Sequence, residues 1–240
     1  MRNRIALSGA LFAGSFLALS GAALAAPTYN WSGFYIGGNA GYGWGTADVG
    51  DVSLWNDSAG TSLYGTIPAF SFDLRGALGG AEAGVNWQGG AFVGGLVADI
   101  DAAHIAGSHT DLANNFSVDA TIRWLSTLRA NVGVAFGNVL LFGSAGVGFG
   151  GVEATLHDTY GGTVLDTSDS NVHTGWVAGL GAAFGITSNS FIKVEWLHAD
   201  LGSRDYAFPE DPSGVVGFPL ITTSASVTAN IVRASFDWKW

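Results

Sequence analysis

The sequence has no cysteine and few charged residues among its 240 positions. The absence of cysteine excludes disulfide frameworks, thiolate metal sites and cysteine nucleophiles. Charged residues make up only 12% of the chain and hydrophobic residues 48%, a balance that argues against intrinsic disorder. Proline is rare at 5 residues, whereas glycine reaches 37 and aromatic residues 12%, which disfavours a helical bundle. The composition therefore favours one folded domain that is not mainly helical.

Positive charge is also scarce. Nine Lys and Arg residues face nineteen Asp and Glu residues, and the formal net charge is −10. Nucleic-acid-binding proteins need a basic stripe to meet the phosphates, and this chain has none. The sequence therefore predicts no nucleic-acid partner.

Long apolar runs are missing after the N-terminal 25 residues. That segment has Arg2 and Arg4, then an apolar run over residues 5–19, then small residues at 23–25 in an A-x-A pattern. This order predicts a cleaved secretory signal peptide over residues 1–25 and one mature domain over residues 26–240. The alternative is a retained membrane anchor, for which the run is short. An exported chain of this kind is either periplasmic or a barrel in the outer membrane.

The main signal in the mature chain is an alternation of side chains with period two. In "FYIGGNAGYGW", Phe34, Ile36 and Trp44 share one parity, and the glycines mostly take the other. Over residues 118–136 the even positions, Ile122 and Val132 among them, are mostly apolar, and the charges occupy odd positions. Successive residues of a strand point to opposite faces, so each strand meets two different environments.

Eight such runs predict eight strands. They cover residues 34–44, 75–87, 90–105, 118–136, 139–154, 173–187, 191–200 and 224–240. Short turns at 88–90, 137–138 and 188–189 alternate with long connections at about 47–74, 106–117, 156–172 and 201–223. Short periplasmic turns and long outer loops are typical of outer-membrane barrels, and a soluble periplasmic sandwich has no reason to alternate them. The predicted fold is all-β, an eight-stranded antiparallel up-and-down transmembrane β-barrel.

Aromatic residues fall at both ends of the predicted strands, on the apolar parity. The predicted outer ring is Trp44, Trp124, Trp176 and Trp196, and the predicted inner ring is Phe34, Trp87, Phe136, Phe184, Trp238 and Trp240. Aromatic side chains are enriched where a membrane meets water, so these rings mark two membrane interfaces. The chain stops on "SFDWKW", and a terminal aromatic of this alternating kind is read by the barrel-assembly machinery of such membranes. We therefore expect that machinery as a partner, through the C-terminal strand.

Three segments resemble one known family. They are "WSGFYIGGNAGYGWG" at residues 31–45, "GGAEAGVNWQ" at 79–88 and "KVEWLHADLGS" at 193–203. In this order they are similar to the small outer-membrane β-barrels of alphaproteobacteria, the RopB-type barrels and their haemin-binding-protein relatives. The resemblance implies an eight-stranded barrel in the outer membrane of a Gram-negative cell. Members have been called porins, haemin binders or structural surface proteins, so it does not fix one activity.

Charged residues on the inward parity predict a lumen network. It comprises Glu82, Asp99, Asp101, Asp119, Arg123, Arg129, Lys193, Glu195, Arg233, Asp237 and Lys239. An eight-stranded barrel is only wide enough for side chains to fill it, and buried charges must pair. We expect a lumen plugged by ion pairs. The alternative is a small porin in which a few pairs switch and pass ions or small solutes.

The remaining acidic residues fall mostly in the predicted outer loops. They are Asp48, Asp51, Asp57, Asp111, Asp158, Asp166, Asp169, Asp205, Glu210 and Asp211. One reading is a hydrated outer rim. The other is that divalent ions bridge these acids to lipopolysaccharide phosphates, although no spaced calcium loop is present. We expect outer-membrane lipid and lipopolysaccharide as partners, and the sequence names no other surface ligand.

Five histidines raise the question of a cofactor or an enzyme. His104, His109, His157 and His173 flank the outer loops and could ligate haemin at the surface, but interfacial imidazoles also need no ligand. His198 lies near Asp200 and Ser203, a spacing that only weakly suggests a base, an orienting acid and a nucleophile. We predict a non-enzymatic surface or structural protein without a catalytic, cofactor-binding or metal site, and keep haemin binding as an alternative.

Overall fold

A computed structural model describes residues 29–55, 66–111, 116–160, 163–208 and 220–240. The predicted signal peptide lies outside the described residues. The strands are β1 Gly33–Val49, β2 Val52–Trp55, β3 Thr66–Ile67, β4 Phe70–Gly89, β5 Phe92–Asp111, β6 Phe116–Phe136, β7 Val139–Tyr160, β8 Thr163–Thr187, β9 Ser190–Phe208 and β10 Leu220–Lys239. Within the described parts of the chain, no helix is long and apolar enough to cross a membrane.

The eight long strands close on themselves. Each pairs antiparallel with its neighbours in the order β1, β4, β5, β6, β7, β8, β9, β10, and β10 pairs back onto β1. At this seam Tyr35 lies opposite Lys239 and Val49 opposite Ala225. The short strands β2 and β3 continue the sheet beside the outer end of β10, where Trp55 lies opposite Leu220. The predicted eight-stranded up-and-down barrel is confirmed.

Three tight turns join the strands at one end, as predicted. They lie between β4 and β5, β6 and β7, and β8 and β9. Gly90 and Gly137 occupy two of them with φ of 63° and 62°, a left-handed conformation that glycine adopts without steric cost. Short turns are typical of the periplasmic end of an outer-membrane barrel, so we call this end the periplasmic end.

At the opposite end the strands run further than predicted. β7 and β8 stay paired up to Tyr160 opposite Thr163, so most of the predicted loop 156–172 is a hairpin. β5 and β6 likewise fill most of the predicted loop 106–117. Beyond the membrane both faces of a hairpin can meet water, so the apolar alternation that identified the strands ends there while the hydrogen-bond ladder continues.

The acidic residues assigned to the outer loops are therefore mostly in strands. Asp48 lies in β1, Asp111 in β5, Asp158 in β7, Asp166 and Asp169 in β8, and Asp205 in β9. Asp51 lies between β1 and β2. Asp57, Glu210 and Asp211 lie outside the described residues.

The outward side chains form an apolar belt between two levels of aromatic rings. Nine of the ten predicted ring residues are exposed: Phe34, Trp44, Trp87, Phe136, Trp176, Phe184, Trp196, Trp238 and Trp240. The tenth, Trp124, is half-buried because its ring lies against Gly151 of the next strand, where a side chain would not fit. Between the two levels, Ile36, Leu128, Val132 and Val232 are also exposed on this face.

A bulge in β6 reverses the predicted parity at its outer end. Ile122 pairs with Val152 and Trp124 with Gly151, so Arg123 is an extra residue without a partner on β7. An extra residue shifts every later side chain to the other face. Ile122 is consequently fully buried in the lumen, although the alternation predicted it to face lipid.

Candidate functional site in the barrel lumen

The middle of the lumen is organised around Arg233 of β10. Its Nη2 lies 2.7 Å from Asp99 Oδ2, its Nη1 lies 2.8 Å from Asp101 Oδ2, and its Nε lies 2.7 Å from Glu195 Oε1. Asp99 and Asp101 belong to β5 and Glu195 to β9, so one guanidinium joins three strands. Asn39 adds a hydrogen bond of 2.8 Å from its Nδ2 to Asp101 Oδ1.

Arg129 of β6 shares two of these carboxylates. It donates from Nη2 to Asp99 Oδ2 at 2.8 Å and from Nη1 to Glu195 Oε2 at 2.7 Å, and its side chain is 0% exposed. Its Nε donates to Thr127 Oγ1 at 2.9 Å, and Thr127 in turn donates to Asp99. With Glu195 the pair is bidentate, because Nη2 also donates to Oε1 at 3.3 Å, and such pairs fix geometry as well as charge.

Lys193 and Asp237 complete the charged layer. Lys193 Nζ is bonded to Glu82 and lies 3.7 Å from Glu195 Oε1. Asp237 is fully buried and accepts a hydrogen bond of 2.7 Å from Ser235 Oγ. We name these eight residues, with Arg129 and Arg233 at their centre, the ion layer: Glu82, Asp99, Asp101, Arg129, Lys193, Glu195, Arg233 and Asp237.

Glycines of β1 make room for this layer. A Cβ on Gly41 would lie 2.6 Å from the Cβ of Arg233, closer than real side chains approach. At Gly37 it would collide with the carboxylate of Asp237. The glycine-rich parity of "FYIGGNAGYGW" therefore lets long charged side chains of β10 lie across β1 inside a narrow barrel.

An aromatic layer closes the periplasmic end of the lumen. Residues just before β1 fold into the opening, where Trp31 is fully buried. The centre of the Trp31 ring lies 4.5 Å from the centre of the Tyr29 ring and 5.6 Å from that of the Phe191 ring. The ring centres of Tyr35 and Phe191 are 5.3 Å apart. Sequence reasoning missed this segment, and the only signal for it was two aromatic residues between the predicted signal peptide and the first strand.

Polar contacts hold the N-terminal segment in place. Trp31 N donates to Gln88 Oε1 at 2.7 Å, and Gln88 N donates to Ser32 Oγ at 2.9 Å. Lys239 Nζ lies 5.5 Å from the centre of the Tyr29 ring and donates to Ser32 O at 3.3 Å. Lys239, predicted in the charge network, therefore interacts with this segment at the opening of the barrel.

A small cavity lies between the aromatic layer and Lys193. This cavity of about 20 Å³ is lined by Trp31, Tyr35, Asn131, Phe142, Phe191 and Lys193, among others. This volume suits about one water molecule.

Aliphatic side chains fill the lumen above the ion layer. Leu74, Ile105, Ile122, Leu197 and Leu201 are all nearly or fully buried and belong to one cluster. We call this the aliphatic layer. The lumen thus has an aromatic, a charged and an aliphatic layer from the periplasmic end outward.

Two predicted members of the lumen network lie elsewhere. Above the β6 bulge the odd positions face outward, so Asp119 and Arg123 are on the outside of the barrel. Arg123 Nε lies 2.7 Å from Glu153 Oε2, and Asp119 Oδ2 lies 3.0 Å from His157 Nε2. For these two residues the prediction was wrong, because an alternation rule carries no information about an inserted bulge residue.

The histidines that suggested a haemin site do not point at one common position. His104 is exposed, and His157 is bonded to Asp119 on the outside. The ring of His109 stacks on that of Phe70, with 4.3 Å between the ring centres. His173 is fully buried above the outer aromatic ring, with Nε2 2.8 Å from Tyr206 Oη and Nδ1 3.3 Å from Gly202 O. Burial lowers the pKa of the His173 imidazole, which suits a neutral ring that donates once and accepts once.

His198, Asp200 and Ser203 do not form a catalytic relay. His198 Nδ1 lies 3.1 Å from Asn230 Oδ1, and its ring lies 5.3 Å from that of Trp176. Asp200 Oδ1 instead accepts a hydrogen bond of 2.9 Å from Gly202 N. His198 and Asp200 thus each make a local structural contact, and neither contact involves Ser203.

Comparison with known proteins decides the family. The family described as outer membrane protein beta-barrel domain matches residues 13–239. The chain belongs to this family. It is 30% identical over 182 residues to the 31 kDa outer-membrane immunogenic protein of Brucella melitensis, covering 74% of each chain. It is 28% identical over 181 residues to the 22 kDa outer membrane protein of Rhizobium leguminosarum, covering 75% of this chain and 69% of that protein.

Members of the outer membrane protein β-barrel family are located in the outer membrane, and this protein is too. Among solved structures the chain resembles OprG of Pseudomonas aeruginosa, with a TM-score of 0.50, 12% identity and coverage of 89% of this chain and 99% of that one. It also resembles the outer membrane protease OmpT of Escherichia coli, with a TM-score of 0.53, 6% identity and coverage of 88% and 98%. At such low identity these likenesses concern the fold alone, and the sequence relatives are named as outer-membrane proteins, not as enzymes.

Proposed function

We propose that this barrel is a non-enzymatic structural protein of the outer membrane with a closed lumen and an acidic outer surface. The observation that carries the proposal is the filling of the lumen by three successive layers. A conducting pore would need a continuous aqueous path, and each layer interrupts that path by a different kind of contact.

The ion layer is the strongest of these obstacles. Arg233 and Arg129 each hold two or three buried carboxylates. Breaking one such pair leaves an uncompensated buried charge, which costs about 3–5 kcal/mol. The switching that the porin alternative requires is therefore opposed by the shared carboxylates, because one movement breaks several bonds.

The outer hairpins support a surface role. Asp48, Asp51 and Asp205 are exposed on the part of the barrel that extends beyond the outer aromatic ring. Carboxylates in such positions keep a surface hydrated and disfavour self-association. A sequence relative is named an outer-membrane immunogenic protein, which fits hairpins that are accessible from outside the cell.

The C-terminal strand supports recognition by assembly machinery. In β10, Phe236, Trp238 and the following Trp240 are exposed on the lipid face, whereas Arg233 and Asp237 are buried. We include this alternating terminal strand in the proposal as the segment that the barrel-assembly machinery reads.

Conductance of the refolded mature protein in planar bilayers tests the proposal. We expect no stable openings, with a general porin in the same bilayers as the positive control. Regular openings whose size does not depend on protein aggregation would overturn the closed lumen in favour of a small porin. When haemin is added to the same sample, the haemin absorption spectrum should be the same as without protein. A shifted Soret band would instead favour the haemin-binding alternative.

A further inference from the structure

The positive charges of the barrel are distributed unevenly. All seven Lys and Arg residues after the signal peptide lie in the described part of the chain. Four are buried in the lumen or its opening: Arg129, Lys193, Arg233 and Lys239. Of the remaining three, Arg75 and Arg123 are exposed on β4 and β6, which are both neighbours of β5.

Strand register brings these two arginines to the same level of the barrel. Arg75 lies directly opposite Trp44 of the outer aromatic ring. On β5 it lies opposite Ala106, so exposed His104 is its diagonal neighbour. Arg123 occupies the bulge opposite the segment of β5 that contains His104. Diagonal neighbours are about 7–8 Å apart, within reach of long side chains.

The β6 bulge is what gives Arg123 this position. Without the extra residue an odd position of β6 would point into the lumen, as Arg129 does. Bulges often re-aim a side chain in this way. Arg123 is 54% exposed, and its described bond to Glu153 uses Nε only, so the bond steadies the guanidinium while its terminal amino groups can serve as donors. Arg75 makes no ion pair with any residue that the structure describes.

Arg75, His104 and Arg123 form a patch whose depth in the membrane determines which ligand it suits. Trp44 and Trp124 mark the boundary between the acyl chains and the polar region of the outer leaflet. Phosphate groups of a phosphorylated glycolipid lie at this boundary. Arginine matches phosphate oxygens with paired donors, and exposed Asp73 lies one outward-facing position further out than Arg75. Positive charge thus meets the phosphate level and negative charge lies beyond it.

We propose that Arg75, His104 and Arg123 form a binding site for the phosphate of an outer-leaflet glycolipid, with Trp44 and Trp124 against the lipid beside it. The site requires only that the barrel is in the outer membrane, and it does not depend on whether the lumen is closed. Conductance and lipid binding therefore test two separate claims.

Native mass spectrometry of the refolded protein in micelles tests the site with lipid A as the probe. We expect bisphosphorylated lipid A to bind more tightly than dephosphorylated lipid A. The double variant Arg75→Gln/Arg123→Gln should weaken binding of the phosphorylated lipid roughly tenfold or more, because charge-assisted hydrogen bonds are lost. Arg204→Gln is the matched control, since Arg204 is exposed on β9, away from the patch, and should have wild-type affinity.

Two results would overturn the proposal. One is equal binding of the two lipids by the wild-type protein, and the other is equal weakening by Arg204→Gln and by the double variant. Different migration of boiled and unboiled samples on a gel shows whether each variant is folded. If the double variant does not fold, the single variant Arg75→Gln decides, because that exposed side chain has no described ion pair to lose.

Discussion

At the scale of single residues, two arginines of this barrel show how much the environment of an ion pair matters. Arg233 donates hydrogen bonds to three carboxylates and is almost completely buried, as are these partners. Arg123 binds Glu153 at the same distance of 2.7 Å, but both side chains are partly in solvent. Exposed pairs contribute little because water and salt screen them, whereas removal of one buried partner leaves a charge without compensation.

Replacement of each arginine should separate these two cases. We expect Arg233→Met to lower the free energy of unfolding by about 3–5 kcal/mol, because three buried carboxylates lose a partner. Arg123→Gln should lower it by less than about 1 kcal/mol. Denaturant unfolding of the refolded protein in lipid vesicles, followed by tryptophan fluorescence, measures both. Similar losses for the two variants would contradict the assignment of Arg233 to a buried ion layer.

At the scale of strands, β6 shows both the strength and the limit of sequence patterns. Below the bulge, alternation correctly separates buried Arg129 from exposed Leu128 and Val132. Above it, the same rule assigns Ile122 to the wrong face. The bulge interrupts the pairing of β6 with both β5 and β7, and no residue type in the sequence marks it.

Labelling of single cysteines should locate the reversal, because the chain has no cysteine of its own. We expect Arg123→Cys to react with a water-soluble maleimide in folded, vesicle-bound protein, and Ile122→Cys to be protected in the aliphatic layer. Unfolded samples, in which both sites react, control for intrinsic reactivity. The opposite pattern of protection would mean that β6 is regular and that Arg123 points inward.

Other elements were predictable to different degrees for physical reasons. The barrel, its tight turns and the lipid-facing rings follow from alternation, since lipid imposes it on every crossing strand. Outer hairpins such as the end of β7 at Tyr160 were missed, because water on both faces imposes no pattern. Trp31 was missed for another reason: it lies before the first strand, and only the closed barrel creates the socket that buries it.

At the scale of the whole molecule, barrel closure depends on the seam between β1 and β10. There the β1 backbone lies close to the backbone and side chains of β10. Gly37 faces inward opposite Asp237, and a Cβ there would lie 2.5 Å from the Phe236 carbonyl oxygen. The next residue, Gly38, faces outward, and the nearest atom to its Cβ would be 3.7 Å away. Two adjacent glycines thus have different roles.

Valine at these two positions should therefore have opposite effects. We expect Gly37→Val to destabilise the closed barrel by at least about 1–3 kcal/mol, because the side chain collides with backbone and Asp237. Gly38→Val should be neutral or stabilising by up to about 1 kcal/mol, since valine favours strands. The yield of the heat-modifiable folded form after refolding measures the difference. Equal yields for the two variants would show that closure does not need the close contact of β1 with β10 at Gly37.

The ion layer also has a consequence for how easily the barrel wall can be deformed. Arg129 with Glu195, Lys193 with Glu82, and Arg233 with Asp101 each join strands that are three positions apart around the ring of eight. A wall one strand thick would otherwise flatten into an ellipse under the lateral pressure of the bilayer. We expect these ion pairs, together with a close-packed interior of low compressibility, to oppose such a deformation. We therefore expect the folded barrel to resist compression across its width.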